Sequence, residues 1–138
     1  MAAGRIVQII GPVIDIRFPE GEMPGITEAV EIDNNGRRVV AEVMQHKGSL
    51  VARCVAMSPT EGLARNMQAN STGAPITVPV GLKNAGRMFN VLGEPIDGGG
   101  NIRGEERWSI HRPAPKFTEL FTGQEILETG IKVIDLLL

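Results

Sequence analysis

Tyrosine is absent from this chain, tryptophan occurs once and phenylalanine four times, so any core must be built from Ile, Val, Leu, Met and Ala. The same poverty removes the aromatic platforms on which small modules stack single-stranded nucleic acid. Cys54 is the only cysteine, which excludes an internal disulfide and suits a reducing compartment. No apolar run approaches the roughly 18 residues that a membrane-spanning helix needs. The first ten residues hold one Arg in a mixed apolar run, without the pattern of a secretory signal or an organelle transit peptide. A cytoplasmic location is therefore expected, with membrane association only through partners. Charge of one sign is not concentrated either. The net charge is -2, and each half of the chain carries half of the 14 Lys/Arg and half of the 16 Asp/Glu. Without a basic stripe, no nucleic-acid role is expected. The Asn70-Ser71-Thr72 triplet reads as a chance glycosylation match.

What is present is globular: 138 residues, 42% hydrophobic and 22% charged. In Val13-Ile14-Asp15-Ile16-Arg17-Phe18, the residues Ile14, Ile16 and Phe18 fall on one face and Asp15 and Arg17 on the other. That alternation predicts a half-buried strand. Arg5–Ile10 is a second run, separated by Gly11-Pro12. Ala29–Asp33 places Val30 and Ile32 inward. Asn34-Asn35-Gly36 then predicts a tight hairpin into Arg37–Gln45, because Asn and Gly tolerate positive φ. Leu50–Met57 is a further strand, and Ile76–Val80 is read as closing the set.

Ser58-Pro59-Thr60-Glu61 has the form of a capping box, with Leu63 and Met67 one turn apart behind it, so a single amphipathic helical turn is expected to cross the end of the sheet. Short strands separated by frequent turns favour a small closed barrel over residues 1–75, although pattern alone does not separate a barrel from a sandwich. Residues 76–138 differ: a turn-rich Gly93–Gly100, a strand at Arg107–His111, a stiff Pro113-Ala114-Pro115 exit, and a helix capped by Thr129. Its apolar side, Ile131, Ile134, Leu137 and Leu138, has no evident partner, which suggests a piece of a larger domain, exposed side chains or self-association.

The chemistry-bearing patterns are decoys. Gly81 and Gly86 have the spacing of a phosphate-binding loop, but Arg87 and Met88 stand where Lys and Ser or Thr are required. Gly98-Gly99-Gly100 has Arg103 where a dinucleotide fingerprint needs its third glycine, so it reads as a flexible turn. His46 and His111 lack a second ligand at metal spacing. Cys54, between Arg53 and Val55, reads as a buried inert thiol. Glu105-Glu106-Arg107 reads as a solvated charged face and Trp108 as a packing anchor. No catalytic, cofactor-binding or metal-ligating residue is assigned.

Three blocks carry a family resemblance: Gly86-Arg87-Met88-Phe89-Asn90-Val91-Leu92-Gly93-Glu94-Pro95-Ile96-Asp97, Ile110-His111-Arg112-Pro113-Ala114-Pro115, and Glu125-Ile126-Leu127-Glu128-Thr129-Gly130-Ile131-Lys132-Val133-Ile134-Asp135-Leu136. Together with Gly4–Asp15, Thr60–Leu63 and Gly73–Gly81, they closely resemble the catalytic beta subunit of the F-type ATP synthase. The alpha subunit and the vacuolar, flagellar and transcription-termination motors share the architecture but spell these blocks differently. One departure is Asn66, where the family commonly has Gly.

The resemblance implies a mainly β fold, with a six-stranded barrel over residues 1–75 and the start of an α/β nucleotide-binding domain over 76–138. It implies a parent subunit that binds ATP or ADP with Mg²⁺, in a ring with alpha subunits around a central shaft, peripheral on the cytoplasmic face of a bacterial inner membrane. The family's phosphate-binding loop lies past the last block, so this chain is expected to be an N-terminal piece that binds no nucleotide by itself. Two other readings are a non-enzymatic interaction barrel and an oligonucleotide-binding barrel.

Overall fold

The computed structural model describes residues 2–102, 106–120, 123, 126 and 128–137. Six strands make a closed antiparallel barrel: β1 (Ala3–Ile10), β2 (Val13–Arg17), β3 (Glu28–Asn34), β4 (Arg37–His46), β5 (Val51–Ala56) and β6 (Gln68–Pro75). Their order around the wall is β1-β2-β5-β4-β3-β6, with β6 returning to β1. Closure leaves no edge among these strands for another chain to pair with.

Local chemistry sets the hairpins. Ile10 opposes Val13 across Gly11-Pro12, so that pair is a tight turn rather than only a bend. Asn34 opposes Arg37, and Asn35 and Gly36 both take positive φ, 54° and 86°. That is the conformation a two-residue primed turn demands. The Asp33 carboxylate accepts a hydrogen bond from the Gly36 N–H at 2.7 Å.

The predicted inward residues Ile14, Ile16, Phe18, Val30 and Ile32 are all buried in one cluster, joined by Ile6, Val39 and Val43. Small residues (Ala41, Ala52, Ala69) fill the rest of the interior. Phe18 supplies the aromatic ring of this cluster. Gly4 on β1 shows how close the fit is. A Cβ there would lie 2.8 Å from Ile16 Cγ2, 2.9 Å from the Arg17 carbonyl and 2.9 Å from Phe18 Cδ1. Gly4→Ala is therefore expected to cost about 1–3 kcal/mol through overpacking. In urea unfolding the midpoint should fall with little change in slope; an unchanged midpoint would disprove the close fit.

Three expectations are corrected. The closing strand is Gln68–Pro75, not Ile76–Val80: β6 pairs with both β1 and β3. The latter segment is instead β7 (Thr77–Val80), which pairs with β8 (Glu106–Ser109) in a separate two-stranded sheet. No helix forms over 58–67, which runs as turns and extended chain into β6. The Thr60 hydroxyl donates to the Gly11 carbonyl at 2.9 Å rather than supporting a helix start, and the Ser58 hydroxyl oxygen is buried without a partner among the described residues. Leu63 and Met67 are drawn against the barrel core instead. Asn66 is in the left-handed region at φ 69°, as its turn requires. The final helix, α1 (Lys132–Leu137), begins later than expected. Thr129 lies before it, with its hydroxyl donating to the Asp135 carboxylate at 2.6 Å. Ile131, Ile134 and Leu137 are exposed, and Leu138 lies outside the described residues.

Candidate functional site

The residues weighed for chemistry do not converge. Cys54 points into the barrel core, where burial, with a smaller contribution from the Asp15 charge, pushes its thiol up to about 12. A thiol so disfavoured as thiolate is neither nucleophile nor ligand. His46 at the end of β4 has Nε2 2.8 Å from the Pro24 carbonyl. His111 lies just past β8. Among the described residues, no group of three His, Cys, Asp or Glu could hold a metal ion. Trp108 is 40% exposed and so is no packing anchor; the Arg112 guanidinium lies over its ring, 3.6 Å from the centroid. Of the Glu105–Arg107 run, Glu105 lies outside the described residues. Glu106 and Arg107 are exposed, and Arg107 Nε donates to the Thr77 hydroxyl at 3.0 Å.

The glycine-rich segments have structural uses. Gly81 leads into one turn of 3-10 helix, Leu82–Asn84, with the Asn84 amide donating to the Pro79 carbonyl at 2.7 Å. Gly98-Gly99-Gly100 is a clamped turn rather than a flexible one. Arg87 pairs with Asp97 and donates to the Gly100 carbonyl at 2.8 Å, and the Gly99 N–H donates to Asp97 at 3.0 Å. A Cβ on Gly99 would meet the Arg87 guanidinium at 2.8 Å. Arg87, aided by the Gly99 and Met88 N–H groups, holds the Asp97 carboxyl well below the usual carboxylate range. Arg103 lies outside the described residues.

Buried charge and outward apolar contact are gathered instead on the outer wall of the barrel, in two places. The first is a charge cluster across β2 and β5. Asp15 opposes Arg53 in the ladder, and its carboxylate accepts from Arg53 Nε at 2.8 Å, Arg53 Nη2 at 3.0 Å and Lys47 Nζ at 3.1 Å. The alternation places Asp15 outward, yet it is only 3% exposed because the two cations lie over it. Arg53, and then Lys47, keep its carboxyl below the ordinary value against the burial that would raise it. Because the folded value is the lower one, this stabilisation is complete above the unfolded carboxylate value of about 3.9 and is lost as pH falls through the folded value. Stability should thus be level from about pH 6 to 8 and decline below about pH 4. Asp15→Asn should cost about 1–3 kcal/mol at neutral pH and soften the acid decline. Equal losses for wild type and variant at pH 3 and pH 7 would rule this out.

The second place is the β3–β4 wall, where the post-barrel segment docks. Ala29 and Val40 point outward there and are buried with Ile76, with Met57 and Leu92 packed beside them. Arg38 on β4 bonds Glu31 at 3.1 Å and reaches Glu94 in the post-barrel loop at 2.8 Å. Glu42, also outward on β4 and nearly buried, accepts from His111 Nε2 at 2.5 Å. Gly93 holds that loop against β7: its φ is 71°, and a Cβ would approach Pro79 Cδ to 2.5 Å. A cleft of about 260 Å³ remains beneath, with Val40, Leu92, Thr72, Thr77, Arg38 and Arg107 in its walls.

Sequence reasoning missed both ties, since the paired residues lie 56 and 69 positions apart. The available signal was Glu42 itself, a carboxylate inside the apolar run Val39–Val43. None of this assembles a nucleophile with a base. It is a surface that positions one unit against another.

Among the described residues no helix is long and apolar enough to cross a membrane. Residues 6–73 match the ATP synthase alpha/beta family, beta-barrel domain. The match runs from the middle of β1 into β6, so it coincides with the closed barrel. It supports the alpha/beta subunit family of ATP synthase for this chain.

Proposed function

We propose that this chain is the ring-forming barrel and lead-in of a beta-type catalytic subunit of a proton-translocating F-type ATP synthase. The observation that carries the reading is the closed barrel itself, coincident with the family match over residues 6–73. The beta rather than alpha assignment rests on the spelling of Asn90-Val91-Leu92-Gly93-Glu94-Pro95 and Ile110-His111-Arg112.

In this reading the barrel stands beside alpha-subunit barrels in a crown, while the nucleotide domains of the parent subunit open and close around a turning shaft. A closed six-stranded wall suits that duty. Every strand has two hydrogen-bonded neighbours, so it holds its shape while attached units move. The Asp15–Arg53 and Glu28–Ser71 contacts add side-chain ties across strands on the same wall. ATP or ADP and Mg²⁺ belong to the parent subunit, and the complex associates peripherally with the cytoplasmic face of a bacterial inner membrane.

The test is competition during ring assembly. Added in excess to separated alpha and beta subunits, the chain should lower the yield of ATPase-active rings, because its barrel takes a beta position without supplying a nucleotide site. An unchanged yield at large excess would refute the assignment.

A further inference from the structure

We propose that the β7–β8 pair and the loop carrying Glu94 form a strap that lifts from the barrel wall without unfolding the barrel, and that the Glu42–His111 bond is its catch. This goes beyond the proposed function and does not depend on it.

The case rests on how the strap is attached. Among the described residues, no backbone hydrogen bond joins β7 or β8 to any barrel strand; the two pair only with each other. The Ile110 N–H bonds the Ile76 carbonyl at 3.0 Å, which keeps the strap a unit of its own. Among the described residues, the side-chain ties that reach across include Arg38 to Glu94 and Glu42 to His111. They are unequal. Arg38 and Glu94 are each about half exposed, so water competes for that pair. Glu42 is 7% exposed at its side chain, and His111 is the donor that satisfies it.

The apolar contact is small. Three buried residues, Ala29, Val40 and Ile76, form it, against twelve in the barrel core, and the cleft of about 260 Å³ shows that the seam is not fully packed. Lifting the strap leaves the inward core and all six strand pairings untouched. It also returns the Glu42 carboxylate to water, and the recovered hydration offsets part of the lost bond. Low local stability of this kind is what separates a movable element from the body that carries it.

Hydrogen exchange on the intact chain tests the proposal. A two-stranded pair is marginal once off the wall, so in the wild type the amides bonded between β7 and β8 should exchange at least about tenfold faster than those of β2 and β5. His111→Ala should accelerate β7 and β8 by a further factor of about ten and leave β2 and β5 unchanged. His111→Gln, which keeps a donor near the position of Nε2, should return most of the protection. Equal wild-type rates in strap and barrel would overturn the proposal. So would equal acceleration of both by His111→Ala, no acceleration at all, or no recovery with His111→Gln.

Discussion

Phe18→Ala is expected to cost about 3–5 kcal/mol, the largest loss of any single side-chain truncation in this barrel. Phe18 is the largest of the buried side chains and is 2% exposed. It follows β2 directly, with its N–H bonded to the Leu50 carbonyl at 2.9 Å, so the ring is anchored from both strand and turn. Walls of a closed barrel are tied on both sides and collapse poorly into a void. The cavity contribution therefore adds almost fully to the lost transfer energy. Small domains are stable by only about 5–15 kcal/mol, so the loss is a large share of the total. Ile14→Val at the same depth should cost about 0.5–1.5 kcal/mol. Urea unfolding of both variants measures the contrast; a Phe18→Ala loss no larger than that of Ile14→Val would show that the core is elsewhere.

Titration with Mg-ATP should give no stoichiometric isotherm. The spacing of Gly81 and Gly86 is the nearest thing to a phosphate-binding loop in the sequence, and the structure gives it no means to act. A phosphate site of this kind needs N–H groups at the start of a helix, a Lys for the terminal phosphates and a hydroxyl for Mg²⁺. Gly81 opens a three-residue 3-10 turn, Met88 replaces the hydroxyl, and Arg87 is committed to Asp97 and Gly100. Diverting Arg87 to a nucleotide would break the clamp on the Gly98–Gly100 turn. A micromolar, one-to-one isotherm in calorimetry would contradict this and locate nucleotide chemistry within these residues.

How far the sequence announces the fold depends on whether a feature is local. The Asn35-Gly36 hairpin is legible because two adjacent residues must take positive φ. Strand β2 is legible because Ile14, Ile16 and Phe18 repeat every second residue. β6 is not: Gln68–Pro75 has low strand propensity, with only Ala69 and Ser71 buried, and becomes a strand because β1 and β3 each present it a row of unpaired backbone groups. The capping box at Ser58–Glu61 is a local preference overridden by tertiary contact, since Leu63 and Met67 are worth more against the core than on a short helix. Asp15 is half legible. Its outward direction follows from alternation, but its burial depends on Arg53 and Lys47, 38 and 32 residues away. The strap's ties at Arg38–Glu94 and Glu42–His111 belong wholly to that non-local class.

Direct association with an alpha-type subunit of the ATP synthase is the measurement that bears most closely on the account. Native mass spectrometry of the chain mixed with isolated alpha subunits should show a one-to-one complex. Asp15→Asn, which leaves the core untouched, should form the same complex wherever it remains folded, whereas the chain unfolded in urea should not. Failure of the folded wild-type chain to bind any alpha subunit, at concentrations where alpha and beta subunits assemble with each other, would contradict the account.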